Sequence, residues 1–316
     1  MLSYAKLARK PSMFRSFTGL EVSEFDSLYR EVESRYDEFE EKRLSRPDRK
    51  KAVGEGGRSF KLELSDRLLM LLVYYRLYIT LGLVQFLFDL DLSNVWRDIR
   101  YLEPVVKECI PLPKKIHEQV KRLGTMEEVE RYFPGFKAFI DATEQEIPRP
   151  KDSTKRKTHY SGKRKRHAVK TQLTVNSNGL ILHRTNHARG RRHDLDIYRG
   201  RPPDLPKQVQ RVFDLGYKGV MNDFPDLNCV HPFKRRGRGG RGHRGEKAES
   251  LTPEQKSFNR ELSKARVIVE HTISRVKKFN IFGQEFRNRL RHYDLMTDIV
   301  SGLINFRIMG SKGLLL

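Results

Sequence analysis

Two cysteines in 316 residues, Cys109 and Cys229, are too few for a disulfide framework, and no paired Cys/His spacing suggests a zinc site. The thiol content reads as that of an intracellular chain. Acidic residues are also scarce, with 40 Asp+Glu against 63 Lys+Arg and a formal net charge of +23. Hydrophobic residues make up 37% of the chain, enough to build cores, so the excess charge sits on a folded protein and not on a disordered basic tail. So much like charge opposes folding by self-repulsion. Its commonest use is attraction to a polyanion, with nucleic acid ahead of an anionic membrane.

Long apolar runs are almost missing. Residues 68–90 (LLMLLVYYRLYITLGLVQFLFDL) come nearest to a membrane span, but Arg76 lies near the middle, Gly82 and Gln85 follow, and Asp89 and Asp91 close the run. A charge at mid-bilayer costs several kcal/mol without a partner, about +2.5 to +3.5 on insertion scales, so membrane insertion is not expected. The opening MLSYAKLARKPSMF has neither a sustained apolar core nor a small-residue cleavage site, so no secretory signal is expected.

What is present divides into three segments: residues 1–58, 59–125 and 126–316. In the first, Phe25, Leu28, Tyr29, Val32, Tyr36 and Phe39 recur at three- and four-residue steps, which predicts an amphipathic helix over residues 22–43. Pro47 and the run Gly54-Glu55-Gly56-Gly57 then read as a linker. In the second, Ser65 with Asp66 predicts a helix start, a break falls at Thr80, and Ser93 is expected to cap a helix over residues 94–102. Short helices joined by a tight turn, the last presenting Asn94, Arg97 and Arg100 outward, form the layout of a DNA-binding helix-turn-helix. A small bundle with only a packing role is the competing reading.

The third segment changes character. Phe136 to Asp141 is a short apolar run closed by an acid, and HAVKTQLTV (167–175) and GLILHRT (179–185) alternate in strand fashion around an Asn-Gly turn. A helical turn at residues 193–199, short strands at 209–213 and 228–233, and a long helix opened by Thr252 and Pro253 complete a mixed sheet with packed helices, an α/β architecture. Asp141 and Asp214 each close an apolar strand, and Glu270 falls on or beside the expected apolar stripe Val267, Ile268, Ile273 and Val276 of the long helix. Three oxygen donors from separate elements suit Mg²⁺ or Mn²⁺, and two such ions about 4 Å apart support in-line phosphodiester displacement.

Basic runs accompany these acids. Lys155, Arg156, Lys157, Lys163, Arg164, Lys165 and Arg166 surround Tyr160, and a glycine-rich run beginning Lys234, Arg235, Arg236 extends to Lys247. Both are expected to contact phosphate, a solvated loop being the alternative. His193 and Asp194 read as a cap bracing the sheet edge, Asp223 and Asp226 as surface residues, and Glu144 as pointing away from Asp141.

These segments resemble the DDE transposases of bacterial and archaeal insertion sequences and their harbinger-like relatives. The resemblance rests on Ile140-Asp141-Ala142-Thr143, on Phe213-Asp214-Leu215-Gly216-Tyr217, and on Arg266 four residues before Glu270 with Lys277 seven after. Tyr160 to His167 and His193-Asp194 also match, and the similarity runs over most of residues 61–308. Ser263 stands where the family often has tyrosine.

The resemblance implies an RNase H-like catalytic domain behind the helix-turn-helix, with Asp141, Asp214 and Glu270 holding divalent metal, and Arg266 and Lys277 joining the DNA-contacting residues. It further implies double-stranded DNA partners, namely element terminal repeats and target DNA, a homodimer or higher oligomer, and a nucleoid-associated location in a prokaryotic cytoplasm. A stand-alone nuclease on the same fold and a catalytically decayed regulator are the alternatives.

Overall fold

A computed structural model of the chain describes residues 1–45, 59–234 and 250–312. They form two compact units, Met1–Leu112 with Arg275–Leu316, and Pro113–Ser274.

The first unit opens with α1 (Tyr4–Leu7), α2 (Pro11–Thr18), α3 (Val22–Leu44), α4 (Leu64–Leu77), α5 (Leu81–Phe88) and α6 (Leu92–Cys109). The expected amphipathic helix is α3, which buries Phe25, Leu28 and Val32 and starts at a reciprocal Glu21/Glu24 capping box. The apolar run 68–90 is divided between α4 and α5, because Tyr78 turns left-handed (φ 49) and the Thr80 hydroxyl accepts the Leu83 N–H at 3.3 Å. Among the described residues no helix is long and apolar enough to cross a membrane. The predicted caps are displaced: α4 begins at Leu64, while the Asp66 Oδ1 accepts the Tyr4 N–H at 2.6 Å, and α6 begins at Leu92. α6 also runs past residue 102 and through Pro104, because Leu102, Val105 and Val106 continue its buried stripe. Tertiary burial there outweighs the hydrogen bond that proline removes.

The second unit comprises α7 (Pro113–Val120), α8 (Met126–Tyr132), β1 (Lys137–Glu146), α9 (Ser153–His159), β2 (Tyr160–Ser161), β3 (Arg166–Asn176), β4 (Ile181–Arg184), β5 (Ala188–Arg189), α10 (Asp194–Gly200), β6 (Gln210–Val212), α11 (Val220–Asp223), β7 (Cys229–Val230) and α12 (Pro253–Lys277), the last as far as Ser274. The sheet order is β2-β3-β1-β6-β7, with β4 and β5 also pairing with β3. β3 is antiparallel to β1 and β4, whereas β6 and β7 run parallel, which is the expected mixed sheet. The β3–β4 turn forms as predicted: Gly179 takes φ 82, and the Asn176 carbonyl oxygen of the side chain accepts the Asn178 and Leu180 N–H groups. Ile140, Leu195, Tyr198, Phe213, Tyr217 and Val220 form a core that joins β1 to α10 and the segment after β6.

The chain then returns to the first unit as α13 (Asn280–Gly283) and α14 (Tyr293–Lys312). Residues 126–316, expected as one segment, therefore divide. α14 buries Ile299, Val300, Leu303 and Ile304, and Gly302 lies so close to Ile110 that a Cβ there would fall 2.7 Å from it. The Asn305 amide donates to the Pro111 carbonyl at 3.1 Å.

Candidate catalytic site and basic surface

Parallel pairing between β1 and β6 ends at Phe139↔Val212. Counting two residues onward along each strand brings Asp141 level with Asp214, just past the last paired residues. Asp141 does not end its strand as expected. β1 continues to Glu146, paired with β3 throughout, so the opening at Asp141 is made by β6 stopping short. Strand alternation puts Glu144 on the opposite face from Asp141, as expected, and Lys170 holds it there at 3.5 Å.

The electrostatics of this rim are those of crowded carboxylates. Burial, and then the neighbouring Asp214 charge, raise the Asp141 carboxyl from 3.8 to about 6, against the opposing pull of Arg266. Asp214 follows Phe213 into a short turn in which its Oδ1 accepts the Gly216 N–H at 2.9 Å. A Cβ at Gly216 would lie 3.0 Å from Asp214 Oδ1 and 3.5 Å from Asp194 Oδ2, so glycine leaves room for two carboxylates at one place. Asp194 is not a helix cap. It accepts the buried Lys170 ammonium at 2.9 Å, and His193, at the cap position, makes no side-chain capping bond. Lys170 falls on the more polar set of β3, with Gln172, Thr174 and Asn176, so nothing local in the sequence marks it.

α12 approaches the rim through Arg266, whose Nη2 lies 3.5 Å from Asp141 Oδ2. Glu270 stands one helical turn further along α12 and is exposed. The buried positions of α12 are Leu262, Val269, Thr272 and Val276; of the stripe expected only Val276 is buried, Ile268 and Ile273 are half-buried, and Val267 is exposed. Thr272 is buried because its hydroxyl donates to the Gly179 carbonyl at 3.2 Å. Among the described residues no group of three or more His, Cys, Asp or Glu side chains is spaced to hold a metal ion. Asp141 and Asp214 nevertheless fit a divalent cation, since both offer hard oxygen donors and a cation would relieve the repulsion that raises Asp141.

Of the predicted DNA-contacting residues, Lys155, Lys157, Tyr160, Lys163, Arg164, Lys165, Arg166 and Lys234 are exposed, and Arg156 is half-buried. Arg166 is engaged with Glu146 at 3.2 Å. Arg235 and Arg236 lie outside the described residues, as does the rest of the glycine-rich run to Lys247. On α6, Asn94 and Arg97 are exposed, whereas Arg100 turns back to Glu103 at 2.9 Å and does not point freely outward. Lys277 is the last residue of α12 and is half-buried.

A mixed sheet carrying paired aspartates where two parallel strands part, with helices packed on it and a helical N-terminal region, defines an RNase H-like α/β domain preceded by a helix-turn-helix. The chain belongs to the DDE superfamily endonucleases: residues 140–305 match that family, and residues 60–112 match the helix-turn-helix of DDE superfamily endonuclease. It is 28% identical over 254 residues to the probable transposase for insertion sequence element IS702 of Microchaete diplosiphon, an alignment covering 80% of this chain and 83% of that one. No solved structure matches the chain.

Proposed function

We propose that the chain is a DNA transposase that cleaves element ends and joins the freed 3′-hydroxyl to target DNA. The convergence of Asp141 and Asp214, with Arg266 beside them, carries this reading. Asp141, Asp214 and Glu270 would hold Mg²⁺ or Mn²⁺, probed as one or two ions, and the metal supplies activation of the attacking oxygen and stabilisation of the leaving one. The chain's own contributions are separate. The α6 face with Asn94 and Arg97 meets duplex DNA, the cations around residues 155–166 bind its phosphates, and Arg266 keeps Asp141 ionised. Joining two ends calls for a dimer or higher oligomer on DNA, working in the cytoplasm at the nucleoid.

The test is cleavage and strand transfer on duplexes bearing the element's ends. Asp141→Asn, Asp214→Asn and Glu270→Gln each abolish both steps and leave DNA binding intact, and an active single variant refutes the assignment. Cleavage without joining would instead mark a stand-alone nuclease. Binding falls steeply with added salt, since phosphate contacts release counterions.

A further inference from the structure

Next to α9 and the β2–β3 corner lies an open cleft of about 780 Å³ that none of the three acids lines. Its walls carry Arg149, Arg156, Lys157 and Arg191 with Tyr160 and His167, and no carboxylate. None of these four cations is ion-paired among the described residues, although elsewhere on this unit Arg166, Lys170 and Arg199 are each matched to an acid. Four uncompensated cations around one concavity repel one another, so the cleft favours an anionic occupant.

The aromatic wall narrows the choice. Tyr160 and His167 are direct cross-strand partners, their ring centroids 5.7 Å apart at 71°, so the histidine edge steadies the tyrosine ring. Tyr160 remains 42% exposed. Beyond it Gly162 faces open space, with nothing within 4 Å of where a Cβ would be. Arg191 is held at the cleft by a close backbone approach. A Cβ at Gly190 would lie 2.6 Å from both the Ala168 and His159 carbonyl oxygens, and the next residue, Arg191, donates its N–H to the Thr158 carbonyl at 3.2 Å. Only glycine at 190 lets Arg191 stand beside the end of α9.

We infer that this cleft binds an unstacked nucleotide of single-stranded DNA, its base against the Tyr160 ring and its flanking phosphates against Arg156, Lys157 and Arg191. The inference rests on the reading of the chain as a DNA-acting enzyme and deepens it. Paired bases in a duplex show a protein only their edges, so the face of an exposed ring can stack only against a base that has left the stack. An end being cut and rejoined supplies such a base.

Fluorescence anisotropy of the full chain with a short oligothymidylate and with a blunt duplex tests it. Tyr160→Ala weakens oligothymidylate binding about tenfold or more, a loss at least about fivefold greater than its loss on the duplex. Tyr160→Phe, which keeps the ring, stays within about twofold of the parent on both. Arg156→Gln and Arg191→Gln flatten the salt dependence of oligothymidylate binding. Equal losses on both DNAs in Tyr160→Ala, or no loss on oligothymidylate, overturn the inference and leave the DNA reading standing. If the parent chain binds neither DNA, that reading fails and the inference with it.

Discussion

The guanidinium of Arg266 stands 3.5 Å from Asp141, linking the helix that carries Glu270 to the strand that carries the first aspartate. Both groups are largely shielded from water, with side-chain exposures of 12% and 20%, so their attraction is less screened than that of a surface pair. Arg266 opposes the burial and the Asp214 charge that raise the Asp141 carboxyl. Arg266→Gln removes that opposition, raises Asp141 further and moves the acid limb of the cleavage pH profile upward. At about pH 6 the variant is expected to be about fivefold slower than the parent, because the parent carboxyl is about half ionised there and one that binds its proton about tenfold more tightly is only about a tenth ionised. Arg266→Lys restores most of the loss at that pH. An acid limb unmoved in Arg266→Gln shows that the pair does not tune the site.

The raised Asp141 carboxyl also has a stability consequence. A folded-state value near 6 against an ordinary 3.8 means that its contribution is fully present below 3.8 and is lost as pH rises through 6. Asp141→Asn, which carries no charge at any pH, therefore stabilises the metal-free protein at neutral pH by up to about 3 kcal/mol. The gain vanishes as pH approaches about 4, where the parent is protonated too. Urea unfolding of both proteins in chelator across this range measures the difference, and a gain independent of pH rules out ionisation as its cause.

His183 works in the reverse direction over an overlapping range. Burial, followed by His117 and nearby cations, lowers it from 6.5 to about 4, and its ring centroid lies 4.9 Å from that of His117. The folded state holds it neutral. Its contribution is present above 6.5 and is lost as pH falls toward 4, up to about 3 kcal/mol over the interval. His183→Gln should remove that acid loss, so the variant gains on the parent as the medium becomes more acid. Titration of the two histidines by NMR supplies the direct check, and a His183 value near 6.5 would refute it.

How much of this is legible in the sequence depends on how far apart the interacting residues lie. Asp141 and Asp214 can be read because an apolar run closed by an acid is a local pattern, and two such runs suggest neighbouring strands. The Lys170–Asp194 contact cannot, because it depends on where α10 settles on the sheet. The buried face of α12 is obscured for a related reason. Val267 and Ile268 look as apolar as Val269, and only the position of the β3–β4 turn makes a threonine, Thr272, part of the buried face. Nothing local in residues 293–312 shows that they pack against α6 and not against the sheet. That outcome depends on Gly302 admitting Ile110, a match between positions far apart in the chain.

Arg67 is the clearest case in the first unit of a buried charge that the fold must compensate. It is 1% exposed on α4, bonded to Asp98 of α6 at 3.1 Å and to the Tyr36 hydroxyl at 2.7 Å, with the Phe60 ring centroid 3.6 Å from its guanidinium carbon. Asp98 is raised by burial even with this partner in place. Arg67→Met leaves that carboxylate buried and unpaired, a change that typically costs about 3–5 kcal/mol. Adding Asp98→Asn removes the stranded charge, so the double variant should recover a large part of the loss. The single variant should also lose less at about pH 5 than at neutral pH, where an unpaired Asp98 is forced to ionise. Urea unfolding of the four proteins of this cycle decides the matter: additive losses would mean that Arg67 stabilises the helix-turn-helix by packing against its aromatic neighbours and not by neutralising Asp98.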